Sequence, residues 1–328
     1  MLNNSEWSNR IREEYKRQTG NVRSVRFPES GIEIRGNVKH VSIHLPAQSV
    51  TKNLQTNAAA FEGWALALMR WCGVRRININ WDNPERYIKT DPKNRHTRQL
   101  HYNRFLYRVE RFSQLLNDCV TVVDRSRLKG TAYKNAKRLC FNVGKGRDTA
   151  GELSMTPEAK LEKEIVSRGI KKFGIEPERL DRQFPVGVFD GLVSKDTAIF
   201  SGNKSAIDLV GLDRKGDLWI FELKAEGNLQ IGSISELFFY SVFMRDALRP
   251  NSRFSALKES PRLRLKPADF EDIRQIHACL LAPEPHPLID ITLLELLNSA
   301  ARGHQWAIDY QYADLSDYLN ETTSVTVT

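Results

Sequence analysis

The stretch AIDLVGLDRKGDLWIFELKA, residues 206–225, constrains the fold more than any other part of this 328-residue chain. Two apolar runs flank a short polar segment, which is typical of a buried β-hairpin. Asp208 lies inside the first run, and Glu222 and Lys224 lie at the end of the second. Charges inside a buried strand cost free energy unless they are paired or bind a metal. The hairpin therefore predicts a charged site within a core.

The length of the turn decides whether these charges meet. Side chains alternate between the two faces of a strand, so Glu222 and Lys224 share one face. A two-residue turn would place Asp208 opposite Leu223, whereas a three-residue turn ending at Gly216 places it opposite Glu222. The three-residue turn closes with a left-handed residue, and glycine adopts that conformation most readily. The sequence thus favours the register that gathers Asp208, Glu222 and Lys224.

The chemistry of this cluster indicates a metal site. Two neighbouring carboxylates repel each other unless a cation neutralises them. Hard oxygen ligands prefer Mg²⁺ or Mn²⁺, and the cluster contains no His or Cys that would indicate zinc. A lysine beside such a metal can hold the attacking water, while the metal neutralises charge on a phosphoryl group. These are the components needed to hydrolyse a phosphodiester.

The spacing of the three residues resembles a known signature. Asp208, thirteen residues, then Glu222-Leu223-Lys224 resembles the metal-binding motif of the PD-(D/E)XK nuclease superfamily. Its members include restriction endonucleases, archaeal Holliday-junction resolvases and RecB-type exonuclease domains. The resemblance implies that Asp208, Glu222 and the backbone carbonyl of Leu223 bind Mg²⁺ or Mn²⁺. It also implies that Asp208, Glu222 and Lys224 are catalytic.

The resemblance implies further site residues on the helices that flank the hairpin. An acid is expected on the preceding helix, predicted over residues 156–174, and Glu162 fits best as a catalytic residue and further candidate ligand. Glu158 and Glu164 are the alternatives. RecB-like members often carry Gln-x-x-x-Tyr on the following helix; here Tyr240 matches, but Glu236 replaces the glutamine. The resemblance covers about residues 156–315.

The predicted fold is α/β with two parts. Residues 157–328 are expected to form a restriction-endonuclease-like mixed sheet flanked by helices, because helix, strands, helix, strand and helix patterns follow one another. A separate basic α/β domain is expected over residues 1–145. The Gly-rich stretch between them predicts a linker over residues 146–156.

Positive charge is concentrated in one part of the chain. The net charge is +9, yet residues 70–150 alone hold 19 Lys/Arg against 7 Asp/Glu. Aromatic residues alternate with these cations, a composition that suits a phosphate backbone and exposed bases. The alternative is a solvated helix face with core aromatics. The residues predicted to contact nucleic acid are Arg75, Arg76, Arg95, Arg98, Arg104, Arg108, Lys134, Lys137 and Arg138.

The sequence therefore predicts a divalent-metal-dependent nuclease with a role in defence, restriction or repair. The resemblance favours DNA over RNA as the substrate, and nothing in the residues excludes RNA. A homodimer is expected if the substrate is a duplex, because two strands need two active sites. The alternative is a catalytically inactive nucleic-acid-binding or protein-interaction module that retains the nuclease fold.

Other features of the sequence exclude several classes of protein. No apolar run reaches the length of a membrane span, and the first residues lack the apolar core of a signal peptide. A cytoplasmic location without a membrane partner is therefore expected. The four cysteines have no CxxC spacing, which argues against a zinc site or a disulfide framework. His277 lies in an apolar run and is interpreted as a packed core residue.

Overall fold

A computed structural model gives the fold of most of the chain. It describes residues 1–21, 25, 27–28, 30–54, 56–141, 156–200, 205–227, 230–249, 252–254, 263–302 and 308–316. The predicted linker lies outside these residues, apart from Thr156.

The first 141 residues form a small mixed sheet with helices around it. Their helices are α1 (Asn4–Thr19), α2 (Ala47–Val50), α3 (Phe61–Cys72), α4 (Glu85–Lys89), α5 (Arg95–Leu115) and α6 (Ala132–Asn135). Their strands are β1 (Glu33–Asn37), β2 (His40–Leu45), β3 (Ile77–Trp81), β4 (Val120–Val122) and β5 (Leu139–Phe141). Strands β1 to β4 lie side by side in chain order. The β1–β2 pair is antiparallel, and the β2–β3 and β3–β4 pairs are parallel.

The remaining elements form a second, larger mixed sheet. They are α7 (Pro157–Arg168), β6 (Leu180–Pro185), β7 (Val188–Asp190), β8 (Ala206–Leu212), β9 (Leu218–Leu223), α8 (Gly232–Leu248), β10 (Ile276–Ala282), α9 (Ile291–Ala301) and β11 (Ile308–Asp314). The sheet order is β11-β10-β9-β8-β6, with parallel pairs from β11 to β9 and antiparallel pairs from β9 to β6. Strand β7 pairs with β5 instead. The predicted α/β class, with mixed sheets flanked by helices, is confirmed.

The β8–β9 hairpin has the predicted three-residue turn. Leu212 pairs with Leu218, and the pairing continues to Leu209 and Phe221. Gly216 closes the turn at φ +84°. The Asp213 carboxylate accepts the backbone N–H groups of residues 215 and 217 at 2.8 and 3.0 Å, which holds the turn in this form. Continuing the register places residue 208 opposite residue 222, so the predicted register is confirmed.

The second sheet is covered on both faces. Trp219 and Phe221 of β9 pack in one apolar cluster with Ile165 and Val166 of α7. The opposite face packs against α8 and α9, in a cluster that also contains residues of the first 141. Strand β9 is therefore buried along its whole length.

Helix α7 begins as predicted and ends earlier than predicted. The Thr156 hydroxyl caps its N-terminus by accepting the backbone N–H of Ala159 at 3.2 Å. The helix ends at Arg168, whereas the sequence predicted an end at Gly174. The reason is Gly169, which adopts φ +73° at a point where a Cβ atom would lie 2.5 Å from the Ile175 carbonyl oxygen. Such a left-handed, crowded position ends the helix and excludes other residues.

Among the described residues, no helix has the length and apolar character required to cross a lipid bilayer.

A buried ion pair joins α3 to α5. The Arg108 guanidinium donates to the Glu62 carboxylate, at 2.8 Å from Nε to Oε1, and to the Ala59 carbonyl oxygen at 3.0 Å. Arg108 is 2% exposed and Glu62 is fully buried. Each charge depends on the other, because an unpaired ion in this environment would lack solvation.

Removing the Glu62 carboxylate should therefore destabilise the protein strongly. We expect Glu62→Ala to lower the free energy of unfolding by about 3–5 kcal/mol, measured by urea denaturation, because Arg108 is left buried without a counter-charge. Glu33→Ala, which removes an exposed ion pair with Arg35, is the matched control and should change stability little. Similar losses in the two variants would contradict a structural role for the buried pair.

Candidate active site

The ends of β8 and β9 bring Asp208, Glu222 and Lys224 together. The Asp208 carboxylate accepts the backbone N–H of Leu223 at 2.9 Å. The Lys224 ammonium donates to the Glu222 carboxylate. Glu222 is 2% exposed and Lys224 is 7% exposed, while Asp208 is half-buried. The three residues on which the proposed metal site depends therefore share one small volume.

Helix α8 adds Glu236 and Tyr240 to this cluster. The Glu236 carboxylate lies 3.4 Å from the Lys224 ammonium, and both α8 residues are buried. The sequence analysis noted Glu236 only because it replaces the glutamine of the Gln-x-x-x-Tyr element, and did not predict it as a site residue. Its signal was the spacing of four residues from Tyr240, which places both on one helix face. Glu236 is thus a further acid of the site.

Helix α7 contributes a further acid, Glu162, and strand β6 contributes the side chains that contact it. The Gln183 side chain donates to Glu162 Oε1 at 2.8 Å, and an Arg182 nitrogen lies 3.6 Å from Glu162 Oε2. Glu162 is 3% exposed. Of the described residues other than glycine, Gln183 is the one with a positive φ, at +50°. Strained backbone of this kind is concentrated at functional sites.

Burial and the closeness of several carboxyl groups shift the pKa values of the site residues. Burial raises the pKa of Asp208 to about 8, and the neighbouring Glu236 and Glu162 carboxylates add to the increase. Burial, with Asp208 and Glu236, also raises the pKa of Glu222 well above its ordinary value. Burial raises the pKa of Glu162 to about 6. Burial lowers the pKa of Lys224, but the surrounding carboxylates outweigh burial and raise it overall.

These observations fit a divalent cation. Oε2 of Glu222 is buried without a hydrogen-bond donor among the described residues, whereas Oε2 of Glu162 has the Arg182 guanidinium 3.6 Å away, beyond hydrogen-bond distance. A buried carboxylate oxygen without a partner is costly, and a bound cation removes that cost. The side-chain atoms at the site that could bind a metal are carboxylate oxygens. Oxygen ligands suit Mg²⁺ or Mn²⁺ rather than zinc.

A second group of possible ligands lies at the other end of the hairpin. Among the described residues, Asp213, Asp217 and His277 form the group whose ligand atoms all lie within 4.8 Å of one another. Asp213 already accepts the Trp219 indole N–H at 3.2 Å, and His277 stacks on that indole with ring centroids 4.3 Å apart. His277 Nδ1 also lies 3.2 Å from an Asp309 oxygen. Existing contacts thus account for these groups, and His277 is half-buried at the edge of the core.

Within the part of the chain that the structure describes, the carboxylates of Asp208 and Glu222 do not form such a compact group with a third acid. The reason is that each carboxylate is directed at a protein donor, the Leu223 N–H for Asp208 and the Lys224 ammonium for Glu222.

Arg104, predicted to contact nucleic acid, lies beside the acid cluster instead of on the surface. It is 3% exposed and donates to Ser205 Oγ at 3.1 Å and to Asn53 Oδ1 at 2.9 Å. Its guanidinium also lies 3.0 Å from His101 Nδ1. Burial and Arg104 lower the pKa of His101 to about 4, so this nitrogen is a neutral acceptor at pH 7. Burial and the site acids raise the pKa of Tyr240, and Arg104 opposes that increase.

The other predicted nucleic-acid contacts divide into paired and exposed cations. Arg108 is paired with Glu62, Lys134 with Glu110, and Arg98 with Asp91. Their charge is thus already partly neutralised inside the protein. The cations that remain exposed, and so available to a phosphate backbone, are Arg75, Arg76, Arg95, Lys137 and Arg138.

Comparison with known proteins found no relative. No protein-family model matches the chain, and no curated protein or solved structure matches it significantly. The geometry of the site and the order of the elements are therefore the basis for any functional proposal.

The raised pKa of Asp208 predicts how the metal-free protein responds to pH. Its pKa rises from 3.8 in the unfolded chain to about 8, so the folded state holds a proton that the unfolded state releases. This contribution to stability is complete below about pH 4 and is lost as pH rises through about 8. We expect Asp208→Asn to raise the Tm in EDTA by several degrees at pH 8.5, relative to wild type, and by much less at pH 5.

The measurement is thermal unfolding by circular dichroism at both pH values. Asp190→Asn, which changes an exposed aspartate of β7, controls for a general effect of net charge. An equal effect of Asp208→Asn at the two pH values would contradict a raised pKa.

Proposed function

We propose that the protein is a divalent-metal-dependent nuclease of the PD-(D/E)XK type. One observation carries the proposal: Asp208, Glu222 and Lys224 meet at the ends of adjacent strands, within a buried group of carboxylates. Stability alone would favour apolar residues at such positions, since ions buried without full compensation destabilise a fold. A bound metal and a reaction that uses it would explain their presence.

The order of elements supports the proposal. A helix bearing an acid, α7, precedes the β8–β9 hairpin, and α8 then leads to β10, which is parallel to β9. This is the order that the resemblance implies. Glu162 on α7 and Tyr240 on α8 both approach the hairpin charges closely enough to share their electrostatics.

The site residues have distinct roles in the proposed reaction. Asp208, Glu222 and the Leu223 backbone carbonyl would hold Mg²⁺ or Mn²⁺, with Glu162 as a further ligand. When bound, the ion would activate water and neutralise charge on the phosphate. The neighbouring carboxylates keep Lys224 protonated, so its ammonium orients water and contributes positive charge where the phosphate's negative charge increases. Gln183 holds the Glu162 carboxylate in place.

The proposed substrate is nucleic acid, with DNA preferred over RNA on the strength of the resemblance. The cations that remain exposed in the basic stretch supply contacts to a phosphate backbone. Such contacts are independent of base sequence and weaken as salt concentration rises. A homodimer would give a duplex substrate two active sites.

A second candidate is a binding module that retains the nuclease fold without catalysis. It is favoured by the engagement of Asp208 and Glu222 with Leu223 and Lys224, and by Glu236 in place of glutamine. A carboxylate at this position strengthens the hold on the Lys224 ammonium. In this case nucleic acid binds, but no metal supports cleavage.

A cleavage assay separates the two candidates. Purified protein is incubated with linear duplex, single-stranded and branched DNA and with RNA, in Mg²⁺, Mn²⁺ or EDTA. We expect cleavage that requires the metal and that falls by at least about 100-fold in Glu222→Gln and in Lys224→Met, because each removes a group used in the transition state. Glu226→Gln, an exposed position close to the same strand end, is the matched control and should cleave normally.

Circular dichroism must show that both site variants are folded. Binding without cleavage in every metal would overturn the nuclease proposal and leave the binding module. Cleavage that persists in both site variants would place the active site elsewhere.

A further inference from the structure

The Lys224 ammonium is shared by two buried carboxylates. It donates to Oε1 of Glu222, and Oε2 of Glu236 lies 3.4 Å from the same nitrogen. All three side chains are buried. Among the described residues, Lys224 is the one cation within ion-pair distance of either carboxylate. A single positive charge therefore serves two buried acids.

The two carboxylates hold the ammonium unequally. Glu222 forms a hydrogen bond with it, whereas the 3.4 Å to Glu236 exceeds the length of about 2.8 Å expected for a charged N–H···O bond. A shift of about 0.6 Å would close this gap. An ammonium group carries three N–H donors on a flexible stem, so small rotations of the side chain produce such a shift. Lys224 can thus exchange one partner for the other without leaving the site.

The contact with Lys224 occupies one oxygen of Glu222. Oε1 accepts from the ammonium, while Oε2 has no donor among the described residues. A divalent ion bound at Glu222 would lie close to the ammonium, and two positive charges repel each other strongly in a buried site. Lys224 must therefore release Glu222 before that carboxylate can bind an ion with both oxygens. An ammonium released without another counter-charge would destabilise the fold.

Glu236 is placed to supply that counter-charge. The three residues that follow it on α8 are fully buried, which fixes this part of the helix in the core; they are Leu237, Phe238 and Phe239. The Glu236 carboxylate is therefore held near Lys224 by the packing of α8. A glutamine at this position would offer only a neutral oxygen, and hydrogen bonds between charged groups are about twice as strong as neutral ones.

We propose that Glu236 is a positioning residue that receives Lys224 when Glu222 binds a divalent ion. The ammonium breaks its hydrogen bond to Oε1 of Glu222 and forms one to Oε2 of Glu236, and no proton is transferred. Both oxygens of Glu222 then become available to the ion. The ammonium stays beside the site, where it can orient water. This inference rests on the proposed function and adds the residue that lets Lys224 and the metal occupy one site.

A static ion pair is the alternative role for Glu236. In that case its negative charge attracts a metal ion from a distance, and Lys224 keeps its contact with Glu222. The two roles differ in one respect. A static charge would favour the ion equally with or without Lys224, whereas a receiving group favours it only when an ammonium is present to be received.

Mn²⁺ binding to the full chain, without nucleic acid, tests the proposal. The EPR signal of the free ion gives the Kd for wild type, Glu236→Gln, Lys224→Met and the double variant at one pH. We expect Glu236→Gln to weaken binding about tenfold, because Lys224 then stays on Glu222. We expect Lys224→Met to tighten binding about tenfold, because no ammonium competes for Glu222. In the Lys224→Met background, Glu236→Gln should change the Kd by less than about threefold.

Glu226→Gln is the matched control for the loss of one negative charge. It is exposed and lies two residues beyond Lys224, so it should bind Mn²⁺ as wild type does. Circular dichroism must show that each variant is folded.

Crystals of the wild-type protein grown in EDTA and in Mn²⁺ provide a measurement that needs no variant. In Mn²⁺ we expect Lys224 Nζ within about 3 Å of a Glu236 carboxylate oxygen and more than about 4 Å from both oxygens of Glu222. In EDTA the ammonium should lie on Glu222.

The nuclease proposal and this inference fail in different ways. A wild-type protein that binds no Mn²⁺ overturns both. Binding of Mn²⁺ without cleavage overturns the nuclease alone. This inference alone is overturned if Glu236→Gln leaves the Kd unchanged, if it weakens binding equally in the two backgrounds, or if Lys224 remains on Glu222 in the Mn²⁺ crystals.

Discussion

The position of the candidate site depends on a three-residue turn. Because strand side chains alternate between faces, a slip of one residue in the β8–β9 hairpin would turn Asp208 away from Glu222. Gly216, at φ +84°, and the two backbone N–H groups accepted by Asp213 prevent that slip. A turn at one end of the hairpin thus determines which carboxylates meet at the other end. The acids of α7 and α8 contribute to the site only because this register is in place.

The site that results is costly to the fold in the absence of a cation. Asp208 and Glu222 have raised pKa values, Oε2 of Glu222 lacks a donor among the described residues, and Gln183 adopts a strained conformation beside them. Places where a sequence conflicts with the stability of its own fold are commonly functional. Lys224 offsets part of the negative charge, and a divalent cation would offset more. The cost and the proposed chemistry therefore have the same origin.

Local signals in the sequence predicted the local structure well. Alternating hydrophobicity and the Gly216 turn predicted the hairpin register, because both depend on residues close in the chain. The basic stretch was harder to interpret. Arg104 and Arg108 have the composition of a nucleic-acid surface, yet they are buried against partners 101 and 46 residues away. Contacts over such separations are set by tertiary packing, which a single sequence does not reveal.

The distribution of metal in a crystal grown with Mn²⁺ at pH 8 tests the central claim most directly. Anomalous scattering locates the ion without reference to activity. The proposal predicts a peak within about 2.5 Å of carboxylate oxygens of both Asp208 and Glu222. A peak at Asp213, Asp217 and His277 instead, with none between Asp208 and Glu222, would contradict the assignment of the hairpin charges to a metal site.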